Sequence, residues 1–192
     1  VTVNGFTLQN YPIGLHLNDA NDCTINVTSN VGRVGDSETH AVLFQNSHAN
    51  YLSLGDTNRD VELDSSNNNT IEDTVLRGAG LMVNDSEGNA FRRLTFNDAG
   101  DPYGYGGRSY FLRSNSNTLA DSSFTGRTNY RIYLRESNDN LISGNDVRDA
   151  TFGGTLDGGA ITVFGGDRNH FEGNTLEGNA CALWMLGTHD NV

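Results

Sequence analysis

The chain has no lysine: all 12 of its basic residues are arginine, set against 24 aspartates and glutamates, for a formal net charge of −12. That balance argues against nucleic acid and against an anionic membrane surface as partners. Only 2 cysteines are present, Cys23 and Cys181, too few for a disulfide framework, and 2 prolines leave little rigid-turn chemistry. No apolar run is long enough to cross a bilayer as a helix, so no membrane insertion is expected, and no stretch reads as a signal peptide. His16, His40, His48, His170 and His189 stand at no zinc-like spacing, and no phosphate loop or dinucleotide fingerprint occurs.

What the chain does have is a repeat. An Asn-x-apolar unit returns at Asn21, Asn50, Asn69, Asn89, Asn117, Asn140, Asn169 and Asn191, in steps of 29, 19, 20, 28, 23, 29 and 22 residues. Periods in this range mean a solenoid. Two positions after the anchors come Cys23, Leu52, Ile71, Phe91, Leu119, Ile142 and Phe171. Eight and six positions before them lie alternating pairs such as Val42/Phe44, Leu81/Val83 and Ile132/Leu134, broken only by Ser109. A third apolar position follows seven after the anchor, as Leu76, Phe96, Phe124, Val147 and Leu176.

Each repeat therefore carries two or three short strands with period-two alternation, and one repeat cannot bury its own apolar face. Stacked coils can, with each strand pairing in parallel to its equivalent about 4.8 Å away. The predicted fold is all-β, a right-handed parallel β-helix of about eight coils forming a single domain over residues 1–192. The anchor asparagines are expected to stack as an amide ladder at one corner, each in the left-handed conformation a corner needs. Cys23 and Cys181 then lie roughly 34 Å apart along the axis, too far to bond. Val1 falls two positions after a missing anchor and Val192 one after Asn191. The expectation is a segment of a longer helix, entered and left in mid-coil, with flanking coils or neighbouring subunits covering both ends.

The longer steps place extra residues between Ser29 and Ala41, Asn97 and Gly107, and Arg148 and Gly159. Insertions in a repeat array gather on one side, often the binding side, so the three are expected to rim a groove. The middle one carries Tyr103 and Tyr105 among glycines, flat contact surface on a pliant loop; it could equally be no more than cover for the coil flank. Counted back from their anchors, Arg108 aligns with Arg131 and Tyr110 with Tyr133. Alternation points all four outward, extended by Arg135 and, two coils on, by Trp184. Arginine recognises carboxylates and aromatic rings receive sugar faces, which suits a polysaccharide, with an acidic one favoured. These side chains could instead simply cover the sheet.

Proton abstraction beside a uronate would draw on Arg108, Arg131, Tyr110, Tyr133, His40 and Asp157. Two-carboxylate hydrolysis would draw on Asp98, Asp101, Asp149 or Asp157. Asp56, Asn58 and Asp60 alternate like calcium ligands, although Val61 stands where the loop glycine belongs. Calcium is the one cofactor candidate; an acidic turn before a strand is the plain alternative.

The Asn-x-apolar repeat, with a second asparagine at Asn26, Asn145 and Asn174 and glycine-rich corners, resembles the β-helix repeat of pectinase-like proteins, alginate lyases, mannuronan C5-epimerases and copper-pathway periplasmic proteins. The resemblance covers essentially the whole chain. It implies an extracellular or cell-surface protein, with the periplasm as alternative, acting on or binding a polysaccharide. The epimerase Asp-Pro-His signature is absent, since Asp101-Pro102 is followed by Tyr103, and the lyases' catalytic lysine has no counterpart. The lysine-free, aspartate-rich composition also resembles that of proteins from salt-loving organisms. The competing expectation is a non-catalytic surface or filament module that assembles through its ends and outward aromatic residues.

Overall fold

The computed structural model describes residues 1–31, 40–97, 108–126, 130–150 and 159–192. The first ten strands are β1 (Thr2–Gln9), β2 (Ile13–Asn18), β3 (Thr24–Val31), β4 (His40–Gln45), β5 (Tyr51–Thr57), β6 (Asp60–Asp64), β7 (Thr70–Arg77), β8 (Leu81–Asn84), β9 (Ala90–Arg92) and β10 (Thr95–Asn97). The rest are β11 (Ser109–Leu112), β12 (Thr118–Ala120), β13 (Ser123–Thr125), β14 (Ile132–Arg135), β15 (Leu141–Ser143), β16 (Asp146–Arg148), β17 (Ile161–Phe164), β18 (His170–Glu172), β19 (Thr175–Glu177) and β20 (Leu183–Leu186). All the pairings between them are parallel.

They form two sheets. The 8-stranded sheet runs β2-β4-β6-β8-β11-β14-β17-β20, and a 12-stranded sheet forks at β7 into β9-β12-β15-β18 and β10-β13-β16-β19. Such stacking is a parallel β-helix. The fork has a local cause: Asp73, Arg93 and Asp121 take positive φ four residues after their anchors, and glycine does so at Gly144 and Gly173. That bend falls inside the continuous β7 at Asp73 and, in the coils that follow, lies between two separate short strands, of which β9 and β10 pair with its two halves.

The apolar positions of the repeat line up in the core. Val42, Val61, Leu81, Ser109, Ile132 and Ile161 sit in register across neighbouring strands, and all are buried. Ser109, the one polar member, points its Oγ at the Arg131 carbonyl, 3.3 Å away. On the opposite wall Phe96 and Phe124 stack at 4.2 Å with rings 7° apart, and Phe91 reaches across the core to meet Phe111 of β11 edge to face at 5.8 Å. The core is one side chain deep per wall, so each coil depends on its neighbours for burial.

The asparagine ladder is present, with one correction. The left-handed residue is not the anchor but the one before it: Ala49, Asn68, Gly88, Ser116, Asp139, Arg168 and Asp190 all have positive φ. The anchor is freed to turn its amide inward, where Asn50, Asn69, Asn89, Asn117, Asn140 and Asn169 are buried. Each of these six donates its backbone N–H to the Oδ1 of the next anchor, at 2.7–3.0 Å. Asn21 stands outside the ladder, its Oδ1 accepting from the His48 N–H.

A second ladder runs beside it. Ser47, Ser66, Ser86, Ser114 and Ser137, each three before an anchor, are joined by backbone N–H to Oγ bonds of 2.9–3.2 Å. These polar columns satisfy corner groups that burial would otherwise leave unpaired. They also fix where the 8-stranded sheet ends, and so which residues its outer face presents.

Candidate functional site on the outer face of the 8-stranded sheet

Strand alternation places Tyr110 of β11 and Tyr133 of β14 outward at equivalent positions, and the ladder holds them in register. Their rings stack at 5.0 Å and 10°, while Tyr130, just before β14, meets Tyr133 edge-on at 5.2 Å and 63°. With Arg108 the three tyrosines line an open hollow of about 190 Å³. Arg135 donates a hydrogen bond to Tyr110, lies 3.5 Å from Glu136 and stands 6.0 Å above the Phe164 ring.

The result is a flat aromatic step edged by guanidinium groups. Burial pushes the Tyr133 phenol above its ordinary value, and the neighbouring Tyr110 adds to the shift. A raised phenol keeps its proton at neutral pH, which suits Tyr133 to donating a hydrogen bond rather than to taking a proton.

Arg131 corrects the expected pairing of arginines. It is wholly buried, not outward. The alternation rule fails there because Arg131 lies before β14 begins, in the corner rather than on the strand. Its carbonyl accepts the Ser109 N–H at 2.7 Å and so holds β11 to the turn. The equivalent residue two coils earlier is Gly80, also buried.

The other candidates are dispersed. Trp184 shares the outer row of Tyr133, but Thr162 stands between them and is buried. His40 opens β4, three strands from Tyr110, with Nδ1 3.3 Å from Glu62 Oε2. Asp149 is exposed and takes positive φ at a corner of the other sheet. Tyr103, Tyr105, Asp98, Asp101 and Asp157 lie outside the described residues. So does most of each long insertion, although the flanking strands show that all three join the 12-stranded sheet to the start of β4, β11 or β17.

The candidate calcium residues do not converge. Asp56 is gripped by the Arg77 guanidinium at 2.8 and 2.9 Å, whereas Asp60 Oδ1 accepts the Gly80 N–H at 2.6 Å. Asn58 occupies the turn between β5 and β6. Among the described residues no group of three His, Cys, Asp or Glu is arranged to hold a metal ion.

The repeated asparagine ladder and the two parallel sheets are matched by a known family, described as the right handed beta helix region, over residues 35–192. The chain belongs to this right-handed β-helix family. Membership gives the winding its hand and extends over every coil from β4 onward. No curated protein matches the chain. The β-helix domain is common in carbohydrate-active enzymes and in cell-surface proteins.

Two features of this β-helix escape a reading by strand alternation. Tyr130 sits before a strand, where no alternation rule aims it, and joins the hollow only through the corner. Asp60 reads as a turn carboxylate, yet burial raises its pKa, opposed by the Gly80 N–H and by His40, Arg108 and Arg59. The signal that could have drawn attention to it is Gly80, the small residue at the equivalent position of the next coil.

Proposed function

We propose that this β-helix binds a polysaccharide on the outer face of its 8-stranded sheet, with the stacked Tyr110–Tyr133 pair as the platform. The observation that carries the reading is the aromatic hollow itself. Three tyrosines and an arginine meet there, around one open hollow. Aromatic faces receive the apolar faces of sugar rings, and guanidinium groups bind hydroxyls and carboxylates. Successive coils are about 4.8 Å apart, close to the length of one sugar unit, so a glycan lying along the axis meets a similar surface at each step.

Binding rather than turnover is what the described residues support. Tyr133 is poised as a donor, and His40 lies three strands away. An extracellular or cell-surface location belongs to the same proposal, since polysaccharide of this kind is met there; the two unbridged cysteines are compatible with it. The test is affinity electrophoresis and calorimetry against acidic and neutral polysaccharides, comparing the wild type with Tyr110→Ala and Tyr133→Ala. Each substitution is expected to weaken binding about tenfold, a loss of order 1 kcal/mol. Binding that survives both substitutions unchanged overturns the site. Absence of binding by the folded protein, with self-association instead, favours the structural module. Absorbance of unsaturated uronates, read in the same samples, reports any lyase activity.

A further inference from the structure

On the hollow's far side from Tyr133, one coil carries no side chain. Gly80 stands between Asp60 on β6 and Arg108 before β11. A Cβ built at Gly80 would lie 3.6 Å from Asp60 Oδ1 and 3.6 Å from Arg108 Cγ. The missing side chain therefore lets an acid and a base two coils apart face each other across a single strand. The approach is tight: the same Cβ would come 3.0 Å from the Arg108 carbonyl oxygen, so a side chain there would have to push the backbone aside by a few tenths of an ångström.

The carboxylate is fixed, not roaming. Asp60 Oδ1 accepts the Gly80 N–H at 2.6 Å. The other charged groups around it are His40, its register partner on β4, and Arg59, which precedes it. Glu62 Oε2 lies 3.3 Å from His40 Nδ1, and Tyr11, whose phenol burial pushes up to about 12, lies near Arg59. Of the groups around Asp60, Arg108 is the one that also lines the tyrosine hollow.

We infer that Asp60 is a specificity-determining residue: by opposing the positive charge of Arg108 across Gly80, its carboxylate restrains the affinity of the hollow for acidic saccharides and leaves neutral ones unaffected. The inference rests on the saccharide reading of the hollow and adds to it the residue that sets charge preference. Opposite charges on neighbouring side chains interact appreciably at the effective dielectric of a protein surface, and salt reduces the effect. An anionic sugar at the hollow feels Arg108 and Asp60 together, so the attraction of one is largely offset by the repulsion of the other. With Asp60 neutral, that repulsion is gone and the attraction of Arg108 is less opposed.

The experiment uses polygalacturonate oligomers and the same oligomers fully methyl-esterified, so that only the charge differs, with calorimetry at pH 7 and low salt. Wild type, Asp60→Asn, Arg108→Gln and the double variant are compared. Asparagine retains an oxygen for the Gly80 N–H, and the thermal midpoint checks that the coil is intact. Asp60→Asn is expected to bind the free acid roughly fivefold to tenfold more tightly, with the ester unchanged. That gain should shrink as salt rises, Arg108→Gln should weaken binding of the free acid more than of the ester, and in the double variant the two changes should offset each other. An equal gain for acid and ester, a gain insensitive to salt, or no change in Asp60→Asn overturns the inference while leaving the platform standing. If neither oligomer nor any other polysaccharide binds, the platform fails and the inference falls with it.

Discussion

Asn117 Oδ1 accepts two hydrogen bonds from Asn89 in the preceding coil, the backbone N–H at 2.9 Å and the side-chain Nδ2–H at 3.0 Å. Its own Nδ2 donates to the Ser86 carbonyl at 3.0 Å. Asn117→Ala removes the acceptor for both Asn89 donors and leaves them buried. The expected loss is about 3 kcal/mol, at the scale of two unsatisfied groups. Urea unfolding checks it, through a lower midpoint with an unchanged slope. Asn117→Asp should be at least as damaging, because a carboxylate can accept from Asn89 but turns an oxygen toward the Ser86 carbonyl.

A third, more exposed ladder runs two residues before the anchors. The Glu87 N–H donates to Asn67 Oδ1, the Asn138 N–H to Asn115 Oδ1 and the Asp167 N–H to Asn138 Oδ1, at 2.7–2.8 Å. Among the described residues no such bond joins Asn115 to Glu87, whose longer side chain is exposed. Glu87→Asn supplies the shorter amide that the neighbouring coils use. The variant is expected to be more stable by about 1 kcal/mol, the net value of one such bond, seen as a rise in the thermal midpoint. A midpoint at or below that of the wild type would show that the corner cannot accept the rung.

Stability should fall on acidification. Asp73, Asp85 and Asp139 are each held below the ordinary carboxylate value of 3.8 by hydrogen bonds from Arg93, Arg113 and Arg168. A depressed pKa contributes stability above the unfolded value, and the contribution is lost as pH drops through the folded one. Asp60 acts in the opposite sense. Its pKa is raised by burial, so its contribution is present below 3.8 and lost as pH rises through the folded value. Three carboxylates against one predict a thermal midpoint that declines from pH 5 to pH 2. The decline should be shallower in high salt, which screens these exposed pairs. Asp60→Asn should steepen it by removing the one group that favours acid.

The coil was legible in the sequence because its cause is periodic. Asn50, Asn69 and Asn89 recur with Leu52, Ile71 and Phe91 behind them, and only a stack gives both classes a place. The serine column was equally periodic, three before the anchors, but hydroxyls are common enough in corners that the recurrence drew no notice. Tyr110 and Tyr133 could be aimed by alternation since both lie inside strands. Arg131 could not: one residue outside β14, the corner geometry decides, and it turns the side chain inward. Tyr130 failed to stand out for the same reason. Asp60 reads in the sequence only as a calcium ligand, because its pairing with Arg108 spans two coils and 48 residues, a separation that no local pattern encodes.

The anchor column also has a direction. In each rung from Asn50 to Asn191 the lower-numbered asparagine donates and the higher-numbered one accepts. The amide dipoles therefore align head to tail along the axis instead of cancelling, and neighbours in such a row polarise one another. The interior carries a polar thread, its oxygen end at Asn50, where Oδ1 accepts the Cys23 N–H, and its N–H end at Asn191, where Nδ2 donates a hydrogen bond to the Gly166 carbonyl. Two faces cut across this solenoid at different heights are electrically unlike, whatever their surface charges. An incoming coil must present an acceptor at one and a donor at the other, so growth of such a stack by duplication preserves its sense and a reversed coil is rejected by its own corner.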